Sequence, residues 1–346
     1  MALIPVTILT GFLGSGKTTL LKHILTEQHG KKIAVIENEF GEENIDNEIL
    51  VQDSQETIVQ MSNGCICCTI RGDLVDALNE LWEQRDQKKI NFDRVVIETT
   101  GVANPGPVAQ TFFMDDDVAE HYVLDAIVTL VDAKHGQQQL NVHEEAQRQV
   151  GFADQIFITK TDLVSPTDVE LLRARLMHMN PRAPIQGITK GVVPLDAVLD
   201  LKGFNLNAKL DIDPHFLEED DHDHSACGHD HHDHDHDHSH KHHGHSGHTD
   251  RIQSFVFRSD KPFDHQKLED FLGGILDVFG EKLLRYKGVL YVKGSNRKVV
   301  FQGVHQMMGS DLAGTWGTEP KQTRMVFIGI DLPRDTLLAG LEGCLV

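Results

Sequence analysis

Cysteine is scarce in this chain of 346 residues: there are five, at positions 65, 67, 68, 227 and 344. An odd number without a second regularly spaced cluster excludes a secreted disulfide framework. Cationic charge is short as well. The 32 Lys and Arg face 53 Asp and Glu, a net charge of −21, which excludes a general nucleic-acid or anionic-membrane surface. No apolar run approaches the ~20 residues that a spanning helix needs. The first residues, MALIPVTILTGFLGSGK, carry no basic leader and no small-residue cleavage site. No long internal repeat is visible. The expectation is therefore a cytoplasmic protein with neither a membrane nor a nucleic-acid partner.

What is present is a globular composition, 40% hydrophobic and 25% charged. Short apolar runs recur at Leu3–Leu9, Ile33–Ile36, Arg94–Glu98, Ala126–Val131 and Gln155–Thr159, with helix-length amphipathic segments such as Leu74–Arg85 and Val169–Met179 between them. Buried strands alternating with helices predict an α/β domain with a mostly parallel sheet flanked by helices. The alternation stops near Gly203. From Asp211 to Asp250 there are twelve acids and one Lys, with thirteen His between His222 and His248. Such a segment cannot bury enough apolar surface to offset its ordering entropy, so it is expected to be a disordered linker. Beyond it, RIQSFVFRS reads as a strand, Asp264–Val278 as a helix, LLRYKGVLYVKG-SN-RKVVFQG as a hairpin and TRMVFIGIDL as a further strand. The expected organisation is a P-loop NTPase domain over 1–205, the His/Asp-rich linker over 206–250, and a small α+β domain over 251–346.

Residues 11 to 18 read GFLGSGKT, a GxxxxGK[ST] match placed after a strand and before a helix. In that setting Gly11, Gly14 and Gly16 bring backbone N–H groups around a phosphate, at the positive end of the helix. Lys17 reaches the terminal phosphates and Thr18 offers a hydroxyl to Mg²⁺. RVVIETTG supplies Glu98 on the metal side and Gly101 as a γ-phosphate sensor; the plainer alternative makes Glu98 the cap of a helix beginning near Pro105. IFITKTD supplies Thr159, Lys160 and Asp162. An Asp there accepts the N1 and exocyclic amino protons of guanine, which adenine cannot offer. The usual guanine signature is NKxD, so Thr159 stands where an Asn is expected, with weaker support for the base loop. Thr189-Lys190-Gly191 is a second candidate base contact.

SNGCICC places Cys65, Cys67 and Cys68 between IENEFGEE and the Glu98 strand. Thiolates suit Zn²⁺ or Cu(I). Three leave a tetrahedral ion one ligand short, a position open to Glu37, Glu42 or a partner's donor. HDHHDHDHDHSHKHH, with His229, His231, His232, His234, His236 and His238, suits weak and redundant capture of transition metals; a plain solvated acidic linker is the alternative. Cys344 looks inert.

GFLGSGKT, IENEFGE, SNGCICC, RVVIETTG and TKTD, in this order, closely resemble the CobW-type metallochaperone GTPases of the SIMIBI class. RYKGVLYV and MVFIGIDLP are similar to that family's C-terminal domain. The resemblance implies a slow GTPase using Lys17, Thr18 and Glu98. It also implies GTP and Mg²⁺ at the P-loop, Zn²⁺ at CxCC with Glu37 and Glu42, and a client metalloprotein as partner, with metal- or GTP-dependent homo-oligomers in the same expectation. A nickel or cobalt insertion GTPase and a passive zinc store remain open alternatives. Arg285 and Lys287, in RYKG, are family-like and suggest a partner surface.

Overall fold

The computed structural model describes residues 3–27, 30–37, 66–204 and 250–346, with 66–71 described by backbone alone. The first sheet is built from β1 (Ile4–Gly11), β2 (Ile33–Glu37), β3 (Arg94–Glu98), β4 (Tyr122–Asp132), β5 (Gln155–Thr159) and β6 (Ile185–Gly187). Its order is β2-β3-β1-β4-β5-β6, and every pairing is parallel. Both faces are covered by helices, so the strands are apolar throughout: Val6, Ile8, Val35, Val95, Ile127 and Ile158 have no exposed surface. The helices are α1 (Lys17–Thr26), α2 (Ile66–Asp86), α3 (Pro105–Met114), α4 (Asp116–His121), α5 (Gly136–Val142), α6 (Glu144–Phe152) and α7 (Pro166–Met179).

β1 lies at the centre of the sheet, beside β4. Its apolar residues pair with β3 on one side and β4 on the other. A parallel sheet presents its loops at the carboxyl ends of its strands, and ligands collect there. The candidate nucleotide residues lie at that end, at or after β1, β3, β5 and β6.

The second sheet is antiparallel, in the order β10-β9-β8-β11-β7. It comprises β7 (Ile252–Ser259), β8 (Leu283–Leu290), β9 (Arg297–Val304), β10 (Met307–Thr315) and β11 (Thr323–Ile330), with α8 (His265–Phe279) and α9 (Arg334–Gly343). One face packs on both helices around Phe263, Leu272, Phe301, Phe327 and Leu341. The other face joins the core of the first domain through Ile252, Leu284, Val304, Val326 and Ile328.

Arg285 of RYKG is not part of a partner surface. Arg285 is fully buried at the seam between the domains, donating to Asp154 Oδ1 at 2.7 Å and to the Gly203 carbonyl at 3.0 Å. Its guanidinium lies 3.5 Å from the Phe204 ring centroid. Gln302 donates to the Phe204 carbonyl at 2.6 Å. At the other end of the His-rich excursion, Asp250 accepts from Arg175 Nε at 3.1 Å. Both ends are thus clipped to the same two-domain body.

Candidate nucleotide and metal site

At Gly11 the backbone turns out of β1 with φ of +144°, and a Cβ there would sit 2.5 Å from the Leu130 carbonyl oxygen. Only glycine fits so close an approach. Gly14 and Gly16 follow with φ of +73° and +95°, which wraps the loop back to start α1 at Lys17. Ser15 is fully buried, and its hydroxyl has no hydrogen-bond partner among the described residues. Lys17 folds back over the loop and donates to the carbonyls of Gly11 at 2.9 Å and Phe12 at 3.4 Å. Burial pushes its pKa down, and Glu98 offsets part of that. An ammonium held on carbonyls in a Gly-rich cradle is poised to exchange them for phosphate oxygens.

Glu98 closes β3 beside two other strand ends. Its Cα is in register with Leu9 of β1 and with Glu37 of β2. Thr18 Oγ1 donates to Glu98 Oε1 at 3.3 Å. A hydroxyl and a carboxylate side by side are hard oxygen donors of the kind Mg²⁺ takes, so these residues fit that ion. The helix-cap alternative for Glu98 fails, because α3 is capped by Asn104, whose side chain accepts from Gly106 N at 3.1 Å. Gly101 lies against the P-loop: a Cβ there would come within 2.7 Å of Leu13 N. The Gly101 and Ala103 carbonyls both accept from Gln149 Nε2, at 3.2 and 3.0 Å, which fastens this loop to α6.

Thr159 replaces the expected Asn without leaving the loop unsupported. Its hydroxyl donates to the Ser15 carbonyl at 2.8 Å, tying the base loop to the P-loop. We predict that Thr159→Val, which keeps the shape and removes that donor, weakens GDP binding several-fold in calorimetry, while Thr159→Asn retains it. Lys160, at φ of +55°, donates to the Gly14 carbonyl and to Asp132 Oδ2, each at 2.7 Å. Asp162 follows in a 3₁₀ turn with its side chain exposed. Thr161 and Thr189 hydroxyls meet at 3.2 Å, and Gly191 packs on the Thr19 carbonyl, so the second base segment does adjoin the first.

Sequence reasoning missed Asp132. It is buried at the end of β4 and receives Lys134 N at 2.8 Å and His135 N at 3.2 Å, with His135 Nδ1 at 3.1 Å from Oδ2. Burial alone would raise its pKa, but the bonds from Lys160, His135 and Lys134 hold it below the ordinary carboxylate value. An anion fixed there aims Lys160. The signal was VDAKH at a strand end, read only as the edge of an apolar run.

On the metal side, Glu37 lies one strand from Glu98, and Cys67 and Cys68 fall in the first turn of α2. Cys65, Glu42 and His229, His231, His232, His234, His236 and His238 lie outside the described residues. Among the described residues no three metal-binding side chains converge. Cys344 is buried in the C-terminal domain, beside the Gly340 and Lys267 carbonyls.

A parallel sheet carrying a phosphate loop, a Thr–Glu pair and a TKTD turn defines a P-loop nucleotide-binding protein. Residues 5–186 match the CobW/HypB/UreG nucleotide-binding domain, and residues 252–345 match the cobalamin synthesis protein CobW C-terminal domain. The chain belongs to the CobW/HypB/UreG family. It is 41% identical to the zinc chaperone YjiA of Escherichia coli, over 98% of each chain. It is 39% identical to the zinc-regulated GTPase metalloprotein activator 1 of Schizosaccharomyces pombe, over 58% of this chain and 50% of that one. Among solved structures it matches a zinc-bound triple mutant of the YjiA GTPase, in which one glutamate and two cysteines are alanine. There the TM-score is 0.77 and the identity 36%, over the full length of both chains. Among the described residues no helix is long and apolar enough to cross a membrane.

Proposed function

We propose that this protein is a zinc metallochaperone whose GTPase domain controls when the metal is held and when it is handed to a client metalloprotein. The protein is a GTPase: water attacks the γ-phosphorus of GTP, the bond to the β-phosphate oxygen breaks, and GDP and phosphate leave. Lys17 and the loop N–H groups hold the phosphates, and Asp162 selects guanine. Thr18 and Glu98 would hold Mg²⁺, which when bound offsets charge on the β- and γ-phosphates. Among the described residues none is a strong general base, so intrinsic turnover is slow until a client or a second copy assists.

The observation that carries the gating is the pairing of Glu37 with Glu98 at neighbouring strand ends. The first opens the segment that leads to Cys65, Cys67 and Cys68, and the second sits on the Mg²⁺ side of the nucleotide. A γ-phosphate that orders one strand end therefore acts on the chain leading to the thiols, and by linkage zinc acts on GTP by the same factor. The ligand set of this reading is Cys65, Cys67 and Cys68 with Glu37 or Glu42, thiolates being soft donors that suit Zn²⁺. The histidines from His229 to His238 capture and buffer the metal. The base assignment is tested separately. Asp162→Asn should erode the preference for GTP over ATP by at least about tenfold, roughly 1.4 kcal/mol, in competitive nucleotide binding; an unchanged preference rejects it.

A further inference from the structure

The seam between the domains carries more positive charge than it neutralises. Arg285 and Lys287 alternate along β8 and so share one face of the sheet, and Lys287 is paired in register with Gln302 of β9. Across from them, Arg182 and Arg285 both reach Asp154 Oδ1, at 3.2 and 2.7 Å. Among the described residues three cations surround one carboxylate, which leaves two positive charges. The hydrogen bonds are unfinished too. Arg285 Nε, Arg285 Nη1, Arg182 Nη1 and Gln302 Oε1 are buried without a partner among the described residues. Lys287, half-buried, has neither a hydrogen bond nor an ion pair there. Its pKa is pushed down to about 8, first by burial and then by Arg182 and Arg285, as expected where positive potential is uncompensated. Buried guanidinium donors without acceptors are costly and are seldom left so.

We propose that this seam is a binding site for a small tetrahedral oxyanion of the phosphate class, held by Arg182, Arg285 and Lys287. The donors belong to two guanidinium groups and one ammonium on opposing elements, so they call for an acceptor with more than two oxygens; a planar carboxylate has only two. A dianion balances the two excess charges. Arg182 and Lys287 each retain some exposure, while Arg285 is fully buried against the Phe204 ring. The site is separate from the nucleotide loop. Asp154 immediately precedes β5, whereas the base-loop residues lie at the opposite end of that strand. Phosphate bound here joins β8 to the chain at Gly203 and Phe204, and so cements the two domains at the root of the His-rich excursion.

The test is calorimetric titration of inorganic phosphate at constant ionic strength into the full chain carrying Lys17→Met, which disables the P-loop. One phosphate per chain is expected, with a rise in unfolding temperature relative to chloride. Adding Lys287→Gln, a change at an unpartnered and half-buried position, should weaken binding at least about tenfold and abolish the thermal shift. Arg182→Gln should act in the same direction. Absence of phosphate binding, or equal affinity in the Lys287→Gln chain, overturns the site. Protection by acetate equal to that by phosphate overturns the tetrahedral class.

Discussion

Asp154→Ala is expected to destabilise the folded chain by about 3–5 kcal/mol, the cost of removing one partner from a buried ion pair. The Asp154 side chain is buried and accepts three bonds: from Ile127 N at 3.0 Å, Arg285 Nη2 at 2.7 Å and Arg182 Nη2 at 3.2 Å. Burial alone would raise its pKa, but Arg285 and Arg182 outweigh that, and it stays ionised below the usual carboxylate value. Without it, Arg285 keeps only the Gly203 carbonyl, and its guanidinium, which burial already disfavours, loses the anion that offsets that burial. The loss falls on the contact that joins β8 to the first domain, so uncoupled melting of the two domains should accompany it. Urea unfolding read by both fluorescence and circular dichroism measures this. A loss below about 1 kcal/mol, the scale of an exposed pair, would mean that the seam is wet and loosely packed.

Lys17→Met is expected to lower single-turnover GTP hydrolysis at least about hundredfold, the scale of removing a preorganised group that stabilises transition-state charge. The same change should not lower the stability of the nucleotide-free protein. Lys17 is buried and its folded-state pKa lies below the unfolded value of 10.5. Between the two the unfolded chain binds more protons, so this group's contribution to stability rises with pH through that window and is unfavourable below it. Methionine keeps the stem and removes the charge. The variant should therefore unfold at the same or a higher temperature at neutral pH, with a flatter pH dependence on the alkaline side. Substantial destabilisation would instead assign Lys17 a structural role through the Gly11 and Phe12 carbonyls.

How much of this was legible follows from what each residue needs nearby. The P-loop was fully readable because its chemistry is local: glycines, Lys17 and Thr18 lie within one turn between a strand and a helix. Glu98 was placed correctly at a strand tip, but its neighbours Glu37 and Thr18 are set by sheet order, which spacing alone does not give. The long strands and the Gly-Ser-Asn hairpin were visible as apolar runs. By contrast, β10, MMGSDLAGT, has two glycines, an Asp and no clean alternation, because it is an edge strand with little buried surface. The helix α9 was also missed; RDTLLAGLEG has two glycines, and its N-cap, Pro333, offers no side-chain bond. The seam was least legible. Asp154, Arg182 and Arg285 look like ordinary surface charges until the two domains bring them together, and RYKG consequently read as a partner surface.

The central claim is that nucleotide state sets zinc affinity at the thiols. The most direct measurement is a competitive Zn²⁺ titration against a chromogenic chelator, on a variant in which the histidines from His222 to His248 are serine. Nucleotide-free, Mg²⁺–GDP and Mg²⁺–GTP-analogue forms are compared. The account predicts one zinc bound at least about tenfold tighter in the GTP form, roughly 1.4 kcal/mol of coupling, and loss of that zinc in Cys67→Ala. Equal affinity in all three states would contradict it and leave a passive zinc store in its place.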